Sequence, residues 1–376
     1  MIITISKDEL AKALGVVIKG VNSHFTLPIY ACVYMDANRE DGTLTLQTAD
    51  METFIKNTVP ALIDEPGQAV IPAKLLNDIV KSLPAEAITI QTSPDANMAT
   101  LTCASSTFTL NTFSPEDFPT FPEVDPISTV TLPAKDVDSM VKSVIYALSA
   151  DQARIILTGI LVEFISNTIT MVSTDSYRVA KIQRAIDGPE IEDFSVVVPG
   201  TTFKDVVSSA SGEKEITFAY TDNQMIFTFG TTTFVTRRLE GNFPNYRKVF
   251  PTDHSTSFTC ATDDLINAIK RIRILVNASP MKNSSIRFSI SPDEGVVTIS
   301  ANFVDLGGGI EKVSAAIEGE ALEISFNPGY ILDGLSAVAT DEVRAEFTAA
   351  ARPGVFSNTE EEIAPFSYLV MPVRSN

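Results

Sequence analysis

Segments of one design recur along this chain at intervals close to 127 residues, and that recurrence constrains the fold more than any single motif. KDELAKALGVVIKGV places Leu10, Leu14, Val17 and Ile18 on one helical face. KDVDSMVKSVIYAL does the same with Val137, Val141, Val144 and Ile145, and DDLINAIKRIRILV with Leu265, Ile269 and Ile272. The leading residues Leu10, Val137 and Leu265 lie 127 and 128 positions apart. A second series, VIPAKLLNDIVKSL, VVVPGTTFKDVVSSA and ISFNPGYILDGLSAV, reads each time as an apolar strand, a break and a short helix. Its anchors Leu76, Phe203 and Tyr330 are 127 apart at each step, and Asp78, Asp205 and Asp333 follow them at spacings of 127 and 128.

Strands form a third series. TLTLQTAD, TITMVSTD and GVVTISAN alternate apolar and polar residues, the signature of half-buried strands, and end on Asp50, Asp175 and Asn302. Hairpin-like pairs begin at Met98 and Met225. Two Phe-Pro segments, EDFPTFPEVDP and GNFPNYRKVFP, put Phe118 and Phe243 125 positions apart, near one third and two thirds of the 376 residues. Proline cannot continue a central strand, so these segments punctuate the repeats, and their rings are expected to plug the seams between units. The chain is therefore expected to be α+β, with three tandem copies of one domain of two helices packed on antiparallel sheets. The copies are drawn at 1–126, 127–252 and 253–376, each long enough to bury its own core.

Composition narrows the function. An apolar fraction of 44% suits a soluble globular protein, no apolar run reaches the length needed to span a bilayer, and the first ten residues lack the pattern of a secretory signal. Cys32, Cys103 and Cys260 are odd in number and far apart, which fits buried reduced thiols in a cytoplasmic protein rather than disulfides or a metal site. Two histidines, His24 and His254, and the absence of a nucleophile elbow, a P-loop or a zincin helix argue against an enzyme, a metal or a cofactor. The Gly-rich LGGGIEK, Leu306 to Lys312, opens no helix and reads as a flexible loop. Asp78, Asp205 and Asp333, one group in triplicate, suit a structural role in the short helices better than a catalytic one.

Charge is unevenly placed. The net charge is −19, yet the repeat helices (7–20, 74–83, 135–148, 203–210, 263–276 and 330–338) hold 11 basic and 9 acidic residues against 17 and 38 elsewhere. Lys12 and Lys19 lie opposite Leu10 on the first helix, and Lys135 and Lys142 opposite Val137 on its counterpart. Either these are ordinary solvated faces, or the helices share one surface that faces a polyanion.

Taken in order and at their spacing, LPIY (27–30), ARIILTGILVEF (153–164), STDSYRVA (173–180), GNFPNYRKVFP (241–251), FNPGYILDGL (326–335) and YLVMPVR (368–374) mark a resemblance over essentially the whole chain. The sequence resembles the bacterial DNA polymerase III beta subunits, the sliding clamps and processivity factors of the holoenzyme. The resemblance implies a non-enzymatic clamp. Its head-to-tail homodimer closes into a ring of six domains around double-stranded DNA, with helices lining the hole. Contacts would be to phosphates and independent of sequence. The outer acidic charge would be largely screened from the lumen, since the Debye length is about 8 Å at physiological salt.

By the same resemblance, Lys74 and Lys81 join Lys12, Lys19, Lys135 and Lys142 as DNA-facing residues, and His24 stands where the family often has Arg. The family's partner-peptide pocket maps to Leu157, Thr174, Ser176, Tyr177, Arg178, Val179, Pro244, Arg247, Val249, Asn327, Tyr330, Pro353, Leu369, Met371, Pro372, Val373 and Arg374. Ser176 and Tyr177 replace the family's usual Gly-His. An adaptable methionine, aliphatic walls and Arg and Asn side chains suit capture of a peptide. The dimer interface would pair Ile274 and Leu275 with Phe108 and Leu110 of the other chain. Expected partners are the DNA polymerase III alpha subunit, the clamp loader and other proteins with a clamp-binding motif, with no membrane. An interaction scaffold that uses the same ring without DNA is the alternative, and a small-molecule enzyme on a triplicated fold is disfavoured for want of a converging polar site.

Overall fold

The computed structural model describes residues 1–21, 27–93, 97–186, 192–279, 285–360 and 365–373. His24 and Arg374 lie outside the described residues. Among those described there are six α-helices, two from each repeat: α1 (Lys7–Val17), α2 (Ala73–Ser82), α3 (Ala134–Val144), α4 (Gly200–Ser209), α5 (Thr262–Ala278) and α6 (Pro328–Leu335). Two of their starts are capped by a local side chain. Ser6 Oγ accepts from Glu9 N at 3.2 Å to cap α1, and Asn327 Oδ1 accepts from Gly329 N at 2.8 Å to cap α6. The faces read from the periodicity are the buried ones: Leu10, Leu14 and Val17 on α1, Val137, Val141 and Val144 on α3, and Leu265, Ile269 and Ile272 on α5. No described helix is long and apolar enough to cross a membrane.

Every strand pair in the four sheets is antiparallel. Each repeat builds two half-sheets of four strands. One half-sheet follows the first helix; the other joins the repeat's opening strand to its last three. The chain forms two compact units, Met1–Lys135 with Asp205–Arg238, and Asp136–Lys204 with Leu239–Asn376, so the middle repeat is divided between them.

Pairing between half-sheets explains the division. In the first unit an eight-stranded sheet unites Cys32–Asn38, Thr43–Ala49, Thr53–Pro60 and Gly67–Pro72 of the first repeat with Ser128–Pro133, Glu215–Tyr220, Gln224–Phe229 and Thr232–Arg237 of the second. The joint is a ladder between Thr53–Pro60 and Thr232–Arg237, with Ile55 opposite Phe234. In the second unit a nine-stranded sheet repeats the arrangement. There Arg178–Ala185 of the second repeat pairs with Phe366–Val370 of the third, with Val179 opposite Leu369. Each joint thus links the third strand of one half-sheet to the last strand of the next repeat.

The Phe-Pro segments lie over these shared sheets. Phe118 stacks on Tyr34 with centroids 5.3 Å apart in a cluster with Cys32, Ala49 and Val70. Phe121 meets Phe54 edge to face, and both pack on Ala219, Ile226 and Val235 from the other side of the joint. In the second unit Tyr246 packs with Leu161, Val172, Val179, Val197 and Leu369, flanked by Phe243 and Phe250.

Two half-sheets have an unpaired edge where the rule would place a joint. Ser106–Asn111 closes the five-stranded sheet of the first unit, and Gly307–Ser314 closes the four-stranded sheet of the second. The latter corrects the expectation of a flexible loop: the Gly-rich stretch is a strand in register with Val296–Phe303. Its glycines permit close approach of α5. A Cβ on Gly309 would fall 2.9 Å from Leu275 Cδ1 and 3.1 Å from Ile272 Cδ1.

Of the expected interface residues, Ile274 is 68% exposed and Phe108 is at the margin of exposure, whereas Leu110 is buried opposite Ala99 in its own sheet. Ile310, which the sequence reading passed over, is 70% exposed on the open edge.

Because the Thr53–Pro60 strand is satisfied by the second repeat, a fragment ending at residue 126 should expose its whole hydrogen-bonding edge and self-associate. Size-exclusion chromatography of that fragment checks this; a well-behaved monomer would show that the joint is dispensable.

Candidate partner-binding site and basic helix faces

The second unit carries an apolar face assembled from three segments. The first is a 3₁₀ stretch, Gln152–Thr158, that leaves Ile155 exposed and turns Leu157 inward. The second is the turn Asp175–Tyr177 between the strands Thr168–Thr174 and Arg178–Ala185. The third is the segment that leaves the last strand, Phe366–Val370, at Met371. Tyr177 is 60% exposed and Met371 42%, and Val249 is exposed at the end of the 3₁₀ turn that seats Tyr246 in the core. Leu157, Thr174, Val179 and Leu369 are buried beneath. Large apolar side chains left in water next to one another mark an interaction surface.

Main-chain bonds hold the segments together. Met371 N donates to Tyr177 O at 2.9 Å and Val373 N to Ser325 O at 2.8 Å. Thr174 Oγ1 donates to Arg178 O at 2.7 Å, and Asp175 Oδ1 accepts from Tyr177 N at 2.9 Å and Arg178 N at 3.1 Å, closing the turn. Pro353 precedes Gly354, the register partner of Val370, and so borders Met371, with Pro372 following.

The two arginines expected to grip a partner are engaged internally. Arg178 is buried; its Nε donates to Asp175 at 3.0 Å, its Nη1 to Asp333 at 2.6 Å and its Nη2 to Tyr146 O at 2.6 Å. Its guanidinium also lies 4.4 Å from the Tyr330 ring centre. Burial opposes its charge, but Tyr368, Asp333 and Asp175 outweigh that and hold its pKa above the usual arginine value. Arg247 donates to both oxygens of buried Glu163, at 3.2 and 2.7 Å, and Tyr246 Oη donates to the same carboxylate at 2.6 Å. Burial, then the bond to Glu163, raises the Tyr246 phenol. Asn327 spends its side-chain oxygen on the α6 cap. Arg178 and Asn327 support the site from within, whereas Arg247 keeps more than half of its side chain exposed. Pro244, Tyr177, Val249 and Met371 form its exposed surface, and the exposed Lys248 and Arg154 are polar rim positions that the sequence reading did not single out.

Basic residues on the helices divide likewise. Lys12, Lys74, Lys81 and Lys135 are exposed, and Lys142 is exposed but paired with Asp138 at 2.7 Å. Lys19 departs from the expected solvated face. Its Nζ donates to Asp205 O, Ser208 Oγ and Ser209 Oγ at 3.2, 2.6 and 2.7 Å, so it caps the end of α4. Burial lowers its pKa, against the pull of Asp205. Lys204 on α4 and Lys270 and Arg273 on α5 are exposed basic positions beyond those expected.

Removing a buried ion-pair partner leaves its carboxylates uncompensated. Arg178→Met should therefore cost about 3–5 kcal/mol in chemical denaturation, while Lys142→Met, in an exposed pair, should cost less than about 1 kcal/mol. Equal effects would contradict the assignment of Arg178 as the internal support.

Comparisons with known proteins agree with this architecture. Family models of the DNA polymerase III beta subunit match in order: the N-terminal domain over residues 1–122, the central domain over 131–245 and the C-terminal domain over 247–374. The beta sliding clamp of Streptomyces coelicolor is 31% identical over 385 residues, covering 100% of this chain and 99% of its own. That of Bacillus subtilis is 28% identical over 382 residues, covering 99% of both. Among solved structures, the DNA polymerase sliding clamp from Bacillus subtilis superposes with a TM-score of 0.94 at 27% identity over the full length of both chains. A DnaN sliding clamp from Pseudomonas aeruginosa bound to griselimycin does so with 0.92, also at 27% and full length. With all three domains matched and the whole length shared, the chain belongs to the bacterial DNA polymerase III beta subunit family, the sliding clamps.

Proposed function

We propose that this protein is a DNA sliding clamp that closes head to tail with a second copy around duplex DNA and tethers a DNA polymerase for processive synthesis. The observation that carries the reading is the pair of unmatched sheet edges. Twice within the chain, the third strand of one half-sheet pairs with the last strand of the next repeat. The same rule applied once more joins Gly307–Ser314 to Ser106–Asn111, and a second copy can supply the partner at both ends. Exposed Ile274 and Ile310 beside one edge and Phe108 on the other supply apolar surface to bury there. Two such heterologous contacts make a closed six-domain ring.

The helices then meet DNA through Lys12, Lys74, Lys81 and Lys135, with Lys204, Lys270 and Arg273 alongside, contacting phosphates without reading sequence. A protein of net charge −19 is poorly suited to hold DNA by affinity, so encirclement does the holding. The exposed face around Tyr177, Val249 and Met371 takes the peptide of a partner: the alpha subunit of DNA polymerase III, the clamp loader, and other proteins with a clamp-binding motif, in the cytoplasm. The domain boundaries near 126 and 252 fit this reading.

Light scattering should give twice the chain mass of 40.6 kDa, and Ile274→Asp with Ile310→Asp should yield folded monomer. An unchanged dimer would move the interface elsewhere. For the function itself, the clamp is loaded on a nicked circular plasmid with a clamp loader and ATP, and the salt is then raised. Affinity-held protein would leave with a log–log salt slope of about 0.9 per phosphate contact. The encircling ring should stay on the circle and leave when the plasmid is cut once. Equal loss from circular and linear DNA would displace this reading in favour of a scaffold without DNA.

A further inference from the structure

Five non-glycine residues among those described have positive φ: Asn97, Ala104, Ser166, Asn167 and Ser176. Ala104, Ser166 and Asn167 sit in two-residue hairpin turns, where left-handed backbone matches the strand twist. Ser176 belongs to a longer hairpin connection. It lies at φ +80° in the middle of the three-residue turn Asp175–Tyr177, on the rim of the apolar face. Serine has a Cβ that disfavours this region and lacks the side-chain amide or carboxylate that makes asparagine or aspartate tolerable there, so the surroundings must hold it.

Two contacts reach the residue itself. Ser176 N donates to Thr174 Oγ1 at 3.1 Å, within the turn. From outside, Arg154 Nη1 donates to Ser176 Oγ at 2.8 Å. Arg154 is in turn fixed by Asp151, whose Oδ2 accepts from its Nε at 2.9 Å, and its own backbone, at φ −116° and ψ 61°, kinks the 3₁₀ stretch. The next residue after Ser176 is Tyr177, whose carbonyl holds Met371 N at 2.9 Å. One path of contacts therefore runs Asp151, Arg154, Ser176, Tyr177, Met371, and it touches all three segments that form the face.

We propose that the Arg154–Ser176 hydrogen bond is a latch that positions Tyr177 and Met371, making Arg154 a positioning residue that sets the affinity of this face for its peptide. The inference rests on the reading of the face as the partner site. Its physical content is that the latch compensates for a side chain at a left-handed position. Glycine at 176 adopts φ +80° without help and should make Arg154 dispensable, whereas alanine keeps the Cβ and loses the acceptor.

A double-mutant cycle on the full-length dimer tests this, with two readouts. The first is binding of a labelled Gln-Leu-Ser-Leu-Phe peptide. Arg154→Ala and Ser176→Ala should each weaken it about threefold to tenfold, a modest range because the contact is exposed. Ser176→Gly sets its own baseline, and adding Arg154→Ala to it should change binding little. The second readout, without peptide, is amide hydrogen exchange across 174–178 and at Met371. Exchange should quicken in Arg154→Ala and Ser176→Ala, and should not respond to Arg154→Ala when residue 176 is glycine. Equal effects of Arg154→Ala in the serine and glycine backgrounds, or exchange indifferent to Arg154, would overturn the latch. A parent chain that ignores the peptide would count against the partner site, and the exchange cycle decides the latch in that case too.

Discussion

Main-chain pairing between half-sheets is the constraint on which the rest of this structure depends. A half-sheet ends in a strand whose N–H and C=O groups need partners, and in this chain the partner is supplied by the next repeat. The ladder from Thr53–Pro60 to Thr232–Arg237, and that from Arg178–Ala185 to Phe366–Val370, each merge two half-sheets into one continuous sheet. This is why three similar repeats make two compact units, with the middle repeat contributing to both. The Phe-Pro segments follow from the same constraint. A chain that must leave one sheet and enter the next passes over the joint, and proline with aromatic rings covers it without demanding ladder hydrogen bonds.

The second joint is also the floor of the proposed partner face. Val179 and Leu369 are cross-strand neighbours in that ladder, and the exposed Tyr177 and Met371 are the residues just outside it. At the proposed partner site, affinity for a peptide would thus depend on groups the peptide does not touch. Arg178 ties the start of one joint strand to α6 through Asp333, and buried Glu163 bonds Tyr246 and the partly exposed Arg247. Buried charges of this kind are retained only with full hydrogen bonding, and each has it: Arg178 through two carboxylates and a carbonyl, Glu163 through a phenol and a bidentate guanidinium. The adaptable part of the face is the remainder, a methionine, a valine and an exposed tyrosine.

Charge placement follows from a protein that tolerates DNA rather than gripping it. The exposed lysines on the helices are few, one of them is neutralised by Asp138, and Lys19 is diverted to cap α4. In the proposed ring, a weakly basic helix surface in a strongly acidic protein favours sliding over residence at any phosphate, and topology supplies the retention.

The repeat period, the buried faces of α1, α3 and α5, the alternating strands and the family were all legible in the sequence, because periodicity and local spacing are properties of neighbouring residues. The pairing of half-sheets was not, because a main-chain ladder carries no residue-type signature that names its partner. LGGGIEK read as a loop for the same reason: Gly309 is approached by Ile272 and Leu275, tens of positions away, and only the packed structure shows that approach. Arg178, Arg247 and Asn327 were named as site residues from the sequence, but the internal bonds they make were not legible there. Their partners Asp333 and Glu163 stand 155 and 84 positions distant, and for Asn327 the deciding geometry is the start of α6. Sequence alone determined what kind of surface each element carries; tertiary structure decided which surfaces are spent inside the molecule and which remain for partners, since burial and ion pairing depend on distances in space that linear spacing does not encode.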